Sequence, residues 1–445
     1  MHDIDVNFDL NLNEISKIEG AASLDIKVRG GKIDDLKFSI SEWKRFYTQA
    51  IRGKPLAAIP QLVDRICGTC SNAHLLASIE AIEKIAAITP SLQTMLLRKL
   101  LYYGLIIRDH ALHLYIFTLP DLFGKDSVLD FDENDHQQHE LLENAFAVKE
   151  LGNSLSIITG GRSVHAPLPT IGGFLKMPQM EALKALKQKM SEIRPIILKL
   201  IKIYAESPAE FRLKSPLTFT GLFSQDFSFL DGIVKICDSN EKGISNQCRL
   251  IKEEELGNYF EEKIIPYSHA RGFKFAGNLM MVGALARLNI GKDALHPKTK
   301  ESVGDYLKLF PSNNIFHNNL AQAIEILHAI DAGGEIIDNL NEIKNEPLPK
   351  IVLKARKGVG VIEAPRGTLY YELEANDDGT VKKGEIIVPT GQNQIVMERA
   401  IYELVEHSLE RKLSKDNIVF EIEKLIRAFD PCMSCAAHFL RVRWK

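Results

Sequence analysis

A chain of 445 residues that is 45% hydrophobic and 25% charged can bury a sizeable core, which excludes a disordered polypeptide. Its formal net charge is −3 with Lys and Arg scattered, so it lacks the broad basic face that a phosphate backbone requires, and no nucleic-acid partner is expected. The first residues, MHDIDVNFDL, show no basic stretch leading into an apolar core, so no secretory signal is expected and a cytoplasmic location is.

In chain order, Leu24, Ile26 and Val28 alternate with polar residues, Gly30-Gly31 can form a tight turn, and Ile33, Leu36, Phe38 and Ile40 follow, which predicts a β-hairpin. From about residue 73 the period becomes helical through Leu75, Leu76, Ile79, Ile82 and Ile85, until Thr89-Pro90 separates one helix from the next. The apolar stretch 95–119 is interrupted by Arg98, Lys99, Arg108, Asp109, His110 and His113, so it predicts a buried helix and no transmembrane segment. Amphipathic helices are expected over 178–206, with Pro195 kinking it, over 319–343 and over 393–412. Between 350 and 390, β-type runs at 351–353 and 368–373 accompany the turn signal Asp378-Gly379 and predict a second small sheet. No repeat, low-complexity tract or linker divides the sequence, so one domain covering 1–445 is expected, of α+β class and predominantly helical.

Six cysteines are too few for a disulfide scaffold in so long a chain, and four of them form CxxC pairs, a pattern suited to thiolate ligation under reducing conditions. Cys67-Gly-Thr-Cys70 and Cys432-Met-Ser-Cys435 each allow two sulfurs to reach one metal from a turn or first helical turn. Asp430 is expected as a helix N-cap and Pro431 as the first helical residue, which would place the second pair where the helix dipole favours thiolate. Soft ligands admit zinc, an iron-sulfur cluster, redox-active dithiols or another thiophilic metal such as nickel. Structural zinc sites are usually local, whereas these pairs lie far apart in sequence, and clusters or dithiols leave the neighbouring acids and arginine unexplained. Cys237 and Cys248 lack a CxxC partner and are read as structural.

Arg65-Ile-Cys-Gly-Thr-Cys70 with His74, and Asp430-Pro-Cys-Met-Ser-Cys435 with His438, resemble the two signature motifs of nickel-iron hydrogenase large subunits. The resemblance continues through Lys17-Ile-Glu-Gly20, Asp109-His110, Gly160-Gly-Arg162 with His165, Gly172-Gly173, Val282-Gly-Ala-Leu-Ala-Arg287 and Glu363-Ala-Pro-Arg-Gly367, nearly the whole chain. It implies a large-subunit fold with a central long-helix bundle and small peripheral β-sheets. It also implies a Ni-Fe centre held by all four cysteines, with carbon monoxide and cyanide on the iron. By motif match, Cys67 and Cys432 would be terminal ligands, Cys70 and Cys435 bridging ones.

Splitting hydrogen heterolytically requires a centre that takes the electrons, a base for the proton and a relay that removes it. The resemblance gives these roles to the metal, the Cys432 thiolate and Glu19, and places Pro365 and Arg366 against the iron's ligands, with Asp109 and Asp430 held by that arginine. Pro389 and Thr390 match the segment that contacts the other cyanide. His74 and His438 lie close enough to a paired cysteine to donate to a bridging sulfur or to bind a second, hard ion. His110, His113 and His165 are expected to be core histidines with satisfied partners.

Two departures matter. Where many family members carry a glutamate that helps the C-terminal histidine bind Mg2+ or Fe2+, this sequence has Thr48, so a ligand near His438 must come from elsewhere, such as the carbonyl of Ile386. Only residues 439–445 follow His438, where family precursors usually carry a removable tail. With no further cysteine clusters, electrons are expected to leave through an iron-sulfur small subunit, while any flavin, NAD(P) or deazaflavin would belong to additional partners. Gly358-Val-Gly360 runs into a strand-like segment and is not read as a dinucleotide site. Residues 368–370 and 389–393 look like those of the soluble, cofactor-coupled group. A hydrogen sensor and a metal-free relative like the quinone-proximal subunit of respiratory complex I are the competing readings.

Overall fold

The computed structural model describes residues 7–240, 243–245 and 248–437. Its first sheet joins β1 (Phe8–Leu12), β2 (Ala22–Arg29) and β3 (Lys32–Ile40) in antiparallel order. Leu24, Ile26 and Val28 are buried while the residues between them face outward, as period-two patterning requires. The turn between β2 and β3 uses Gly30 and Gly31, both at positive φ.

Helix α1 (Ser71–Ala86) starts directly after Cys70. Helix α2 (Leu92–Ala111) starts where Ser91 Oγ accepts from Thr94 N, and it continues into a π-helical turn, Leu112–Thr118. Helix α3 (His136–Gly160) is capped by Asp135 and stopped by Gly161 in the left-handed region. Gly104 and Gly152 let α2 and α3 touch backbone to backbone, since a Cβ on Gly104 would lie 2.8 Å from Ser156 N and one on Gly152 2.6 Å from Arg108 N. Helix α4 (Met180–Ala205) runs on through Pro195.

A second sheet contains β4 (Leu217–Phe223) and β5 (Ile233–Asn240), and Cys237 on β5 forms a disulfide with Cys248. The two structural cysteines are thus a covalent pair that sequence spacing did not disclose. A ribbon of β6 (Phe260–Ile264) and β7 (Arg271–Phe275) follows, then β8 (Leu279–Met281), parallel to β4. Helix α5 (Ala284–Gly291) leads to α6 (His317–Asn339), which packs against α2 and α4 in the middle of the molecule.

The third sheet comprises β9 (Lys357–Ala364), β10 (Gly367–Ala375) and β11 (Val381–Ile387), with the turn at Asp378-Gly379 as expected. Residues 351–353, expected as strand, are not. Past Pro349, the amides of Lys354 and Ala355 donate to Ile85 O at the end of α1, so the chain there is tied to a helix instead of a sheet edge, and pairing starts only at Lys357. Strand β9 then lies on α1, where Cβ atoms on Gly358 and Gly360 would collide with the Ala81 and Ala77 carbonyls, so these glycines serve packing. Helices α7 (Pro389–Glu410) and α8 (Lys415–Ala428) precede a one-turn helix, Met433–Ala436. The architecture is α+β and mainly helical, and among the described residues no helix is long and apolar enough to cross a membrane.

Candidate metal centre

Cys67 sits in extended conformation after the 3-10 turn Asp64–Ile66, and Cys70 occupies the N-cap position of α1. Cys432 is extended at the N-cap of Met433–Ala436, and Cys435 lies within that turn of helix. Each CxxC therefore spans a loop and the start of a helix. The second helix starts at Met433 and not at Pro431, and Asp430 is not its cap. Asp430 adopts φ 49° and turns its carboxylate sideways, accepting from Gln322 Nε2 at 2.8 Å and pairing with Arg366 at 3.0 Å. Glu19 caps the helix in its place: its carbonyl accepts from Met433 N at 2.9 Å and its Oε2 from Ser434 N at 3.1 Å.

The four sulfurs, all buried, lie within 4.8 Å of one another. Cys67 and Cys432 approach to 3.4 Å, Cys70 and Cys435 to 3.1 Å, and Cys432 and Cys435 to 2.9 Å. Metal–sulfur bonds of ~2.3 Å in a tetrahedron place sulfurs roughly 3.8 Å apart, inside this span. Burial pushes the Cys432 and Cys435 thiols far above their ordinary range, whereas hydrogen bonds from the neighbouring cysteines, Cys432 first, hold Cys67 well below it. Four buried thiolates at this spacing would repel one another, so they need metal charge in their midst. The donor set fits a thiophilic centre.

The surroundings come from distant segments. Glu19 Oε2 accepts from Cys432 Sγ at 3.0 Å, and burial raises the pKa of Glu19. Thr390 Oγ1, at the start of α7, accepts from Cys432 N at 2.8 Å, and Pro389 is the first residue of that helix. His74 Nε2 lies 3.5 Å from Cys435 Sγ while its Nδ1 lies 2.7 Å from the Tyr371 hydroxyl.

Arg366 stands at the tip of the two-residue turn Pro365-Arg366 between β9 and β10. It donates from NH1 to Asp109 Oδ2 at 2.7 Å, and the charges of Cys432 and Cys70 act on it. Its buried Nε has no acceptor, and neither does Asp109 Oδ1 have a donor. A buried cation beside sulfur with an uncommitted donor fits an anionic ligand on the centre, the chemistry expected of cyanide.

Behind Arg366 lies a closed chain of contacts that the sequence did not disclose. Arg287 donates to the carbonyls of Ala364 and Pro365, is clamped by Glu325 and Glu363, and Glu325 reaches His110 at 2.9 Å, next to Asp109. Gln322 and Glu325, three residues apart on α6, face His113 and His110, three residues apart on the α2 side. Gln322 and Glu325 interrupt the apolar run from Leu320 to Leu327 at i,i+3 spacing, and that was the available signal. His113 uses both ring nitrogens, whereas His110 leaves Nδ1 without a partner. His165 is partly exposed with Nδ1 3.6 Å from Asp64, so it is not a satisfied core histidine as expected.

A hard ion was expected near His438 and the Ile386 carbonyl, with Thr48 where a glutamate usually stands. Ile386 is buried and its carbonyl accepts from Arg271 NH2 at 2.9 Å, Thr48 offers only a hydroxyl, and His438 lies outside the described residues. Among the described residues, Asp109, His110 and Asp430 form the one other cluster of three possible ligands, and Arg366 bridges its two carboxylates.

A family model for nickel-dependent hydrogenases matches residues 47–151 and 244–438. The chain is 30% identical over 436 residues to the alpha chain of sulfhydrogenase 1 of Pyrococcus furiosus, covering 97% of this chain and 98% of that one. It is 30% identical over 441 residues to the alpha chain of sulfhydrogenase 2 of the same organism, covering 97% and 100%. Among solved structures, an NAD+-reducing [NiFe]-hydrogenase superposes with a TM-score of 0.84 at 24% identity, covering 98% of this chain and all of that one. The Ni-Fe-Se hydrogenase of D. vulgaris Hildenborough gives 0.75 at 20%, covering 97% and 100%. Both structural likenesses speak to the fold.

Proposed function

Because the chain belongs to the nickel-dependent hydrogenase family, we propose that this catalytic large subunit splits dihydrogen reversibly and heterolytically, passing the electrons to an iron-sulfur partner. The convergence of Cys67, Cys70, Cys432 and Cys435 from opposite ends of the chain carries this reading, and it disfavours a metal-free relative. These four residues would hold a Ni-Fe centre. When bound, that centre polarises dihydrogen and accepts its electrons.

Cys432 Sγ is the base that takes the proton, and Glu19 Oε2, 3.0 Å away, is the acceptor that carries it onward. Arg366 Nε would be the donor to a cyanide or carbon monoxide ligand of that centre, while Asp109 and Asp430 hold its other nitrogens. Pro365 shapes the turn that aims Arg366, and Pro389 with Thr390 lines the opposite side. His74 orients Cys435, held in turn by Tyr371.

Electrons need a partner, since of six cysteines four converge on the centre and two are joined as a disulfide. The surface over Cys67 supports that role. Gly68 is exposed, the Arg65 side chain is half exposed, and Trp43, Phe46 and Leu62 stay exposed on segments near the Arg65 and Ile66 carbonyls. Further subunits carrying flavin, NAD(P) or deazaflavin would place the protein in the cofactor-coupled group. Infrared spectra of the purified complex test the reading: bands of iron-bound carbon monoxide and cyanide with stoichiometric nickel are expected, and zinc without such bands overturns it.

A further inference from the structure

Arg271 opens β7, yet its side chain is turned away from solvent, only 11% exposed. Its guanidinium stacks 5.1 Å above Phe273, pairs with Glu385, lies 3.6 Å from Glu262 and donates to Ile386 O at 2.9 Å. Ile386 belongs to the last residues of β11 before helix α7, whose Thr390 fixes the amide of Cys432. Across the sheet, Ile386 pairs with Tyr371, whose hydroxyl meets His74 beside Cys435. The main chain of Arg271 also abuts the first turn of α7, where a Cβ on Gly391 would lie 3.1 Å from Arg271 O. One half-buried cation thus ties the strand-to-helix junction that leads into both faces of the cysteine cluster.

We infer that the Arg271 guanidinium stands in for the hard divalent ion at this junction, so that the Ile386 carbonyl is neutralised by the chain itself and no such ion is bound there. A magnesium ion demands near-octahedral oxygen ligands at ~2.1 Å, so it would have to sit within a few ångströms of the guanidinium on the same carbonyl, and like charges repel. The short helix Tyr47–Ala50 packs against β11 and contributes Thr48, a neutral hydroxyl where an ion needs a carboxylate. Glu385, which could have supplied a negative ligand, is paired with Arg271, and Glu262 lies 3.6 Å from the same guanidinium. A guanidinium and a metal ion do the same electrostatic work on a carbonyl oxygen, one by donating hydrogen, the other by accepting a lone pair. The hydrogenase reading supplies only the expectation of an ion; the contacts of Arg271 stand without it.

The experiment uses the intact, nickel-loaded complex. Elemental analysis should find no magnesium, calcium or manganese stoichiometric with protein and no iron in this subunit beyond one per nickel. Its melting temperature should not respond to EDTA or to added magnesium. Arg271→Gln should melt several degrees lower and gain nothing from magnesium, whereas the double variant Arg271→Gln with Thr48→Glu should recover stability in millimolar magnesium. One hard divalent ion per subunit, removed by EDTA with a fall in melting temperature, overturns the inference, as does an Arg271→Gln variant that melts like wild type. Should Arg271→Gln fail to fold, the ion count on wild type decides alone, and Arg271→Lys gives an intermediate melting temperature. A preparation without nickel sinks the hydrogenase reading while the EDTA and magnesium responses remain readable.

Discussion

Glu19 and Cys432 are joined twice, once by a parallel backbone bridge and once by a 3.0 Å contact from sulfur to carboxylate. The bridge sets the Glu19 main chain beside Cys432, and the contacts of Oε2 with Cys432 Sγ and the Ser434 amide then place the carboxylate. Lys17 and Arg427 both hold Asp121, and Arg427 also donates to Ser16 O, so the loop before Glu19 is pinned to α8. Glu19→Gln keeps the Ser434 amide's acceptor but cannot relay a proton. Hydrogen–deuterium exchange catalysed by the complex should fall by about 100-fold or more with nickel content unchanged, in line with loss of a general base. Loss of nickel instead would identify a structural residue.

Arg366→Lys removes the fork that engages Asp109 and Asp430 at once. Turnover should drop by about 10²- to 10³-fold, the usual effect of deleting an oriented donor, while nickel is retained. Hydrogen uptake with a viologen dye, alongside metal analysis, measures both.

Arg287 acts on Arg366 through the carbonyls of Ala364 and Pro365 at 3.0 and 2.9 Å. A lysine cannot serve two carbonyls and two glutamates together, and Glu325 and Glu363 would be left partly unpaired in the core. Arg287→Lys should therefore lower both turnover and stability, by roughly 3 kcal/mol for the latter, measured by denaturant unfolding.

Gly104→Ala would drive a methyl into Ser156 N and the Gly152 carbonyl, forcing α2 and α3 apart. A loss of about 1–3 kcal/mol is expected from overpacking at a rigid backbone contact, read as a lower melting temperature with the absorption of the intact centre preserved at low temperature.

His328 gives a pH test remote from the cysteines. Burial lowers its pKa to about 4, with Tyr103, Phe227 and Phe229 packed around the ring and Nδ1 accepting from His296 N. The nearby charges are His296, Glu325, Asp226 and Asp331. Since the unfolded histidine binds protons first, its contribution is full above pH ~6.5 and is lost as pH falls toward the folded value. Relative to His328→Gln, wild type should lose on the order of 3 kcal/mol between pH ~6.5 and ~4. A difference between the two proteins that is flat over that window would refute the assignment.

Local pattern carried much of the architecture. The Gly30-Gly31 hairpin, the helices α1, α2, α4, α6 and α7, and the Asp378-Gly379 turn were legible because period and turn chemistry act over a few residues. Residues 351–353 misled because β-propensity says nothing about whether a free sheet edge is at hand, and here the amides that follow are taken by Ile85 O. Asp430 misled for a related reason: a good capping residue can be claimed by a distant cation, here Arg366.

The sequence by itself determined the ligand chemistry, since two CxxC pairs, set among Glu19, Asp109, Arg366 and Asp430 in family motifs, specify a thiolate metal centre. Only the tertiary structure decided which partner each group has: that Glu19 caps the Cys432 helix, that Arg287 aims Arg366 through two carbonyls, and that Arg271 already holds Ile386. The reason is physical. Thiolate ligation is a property of residue type, whereas a buried charge takes whichever opposite charge or carbonyl the packing of remote segments brings within hydrogen-bond reach.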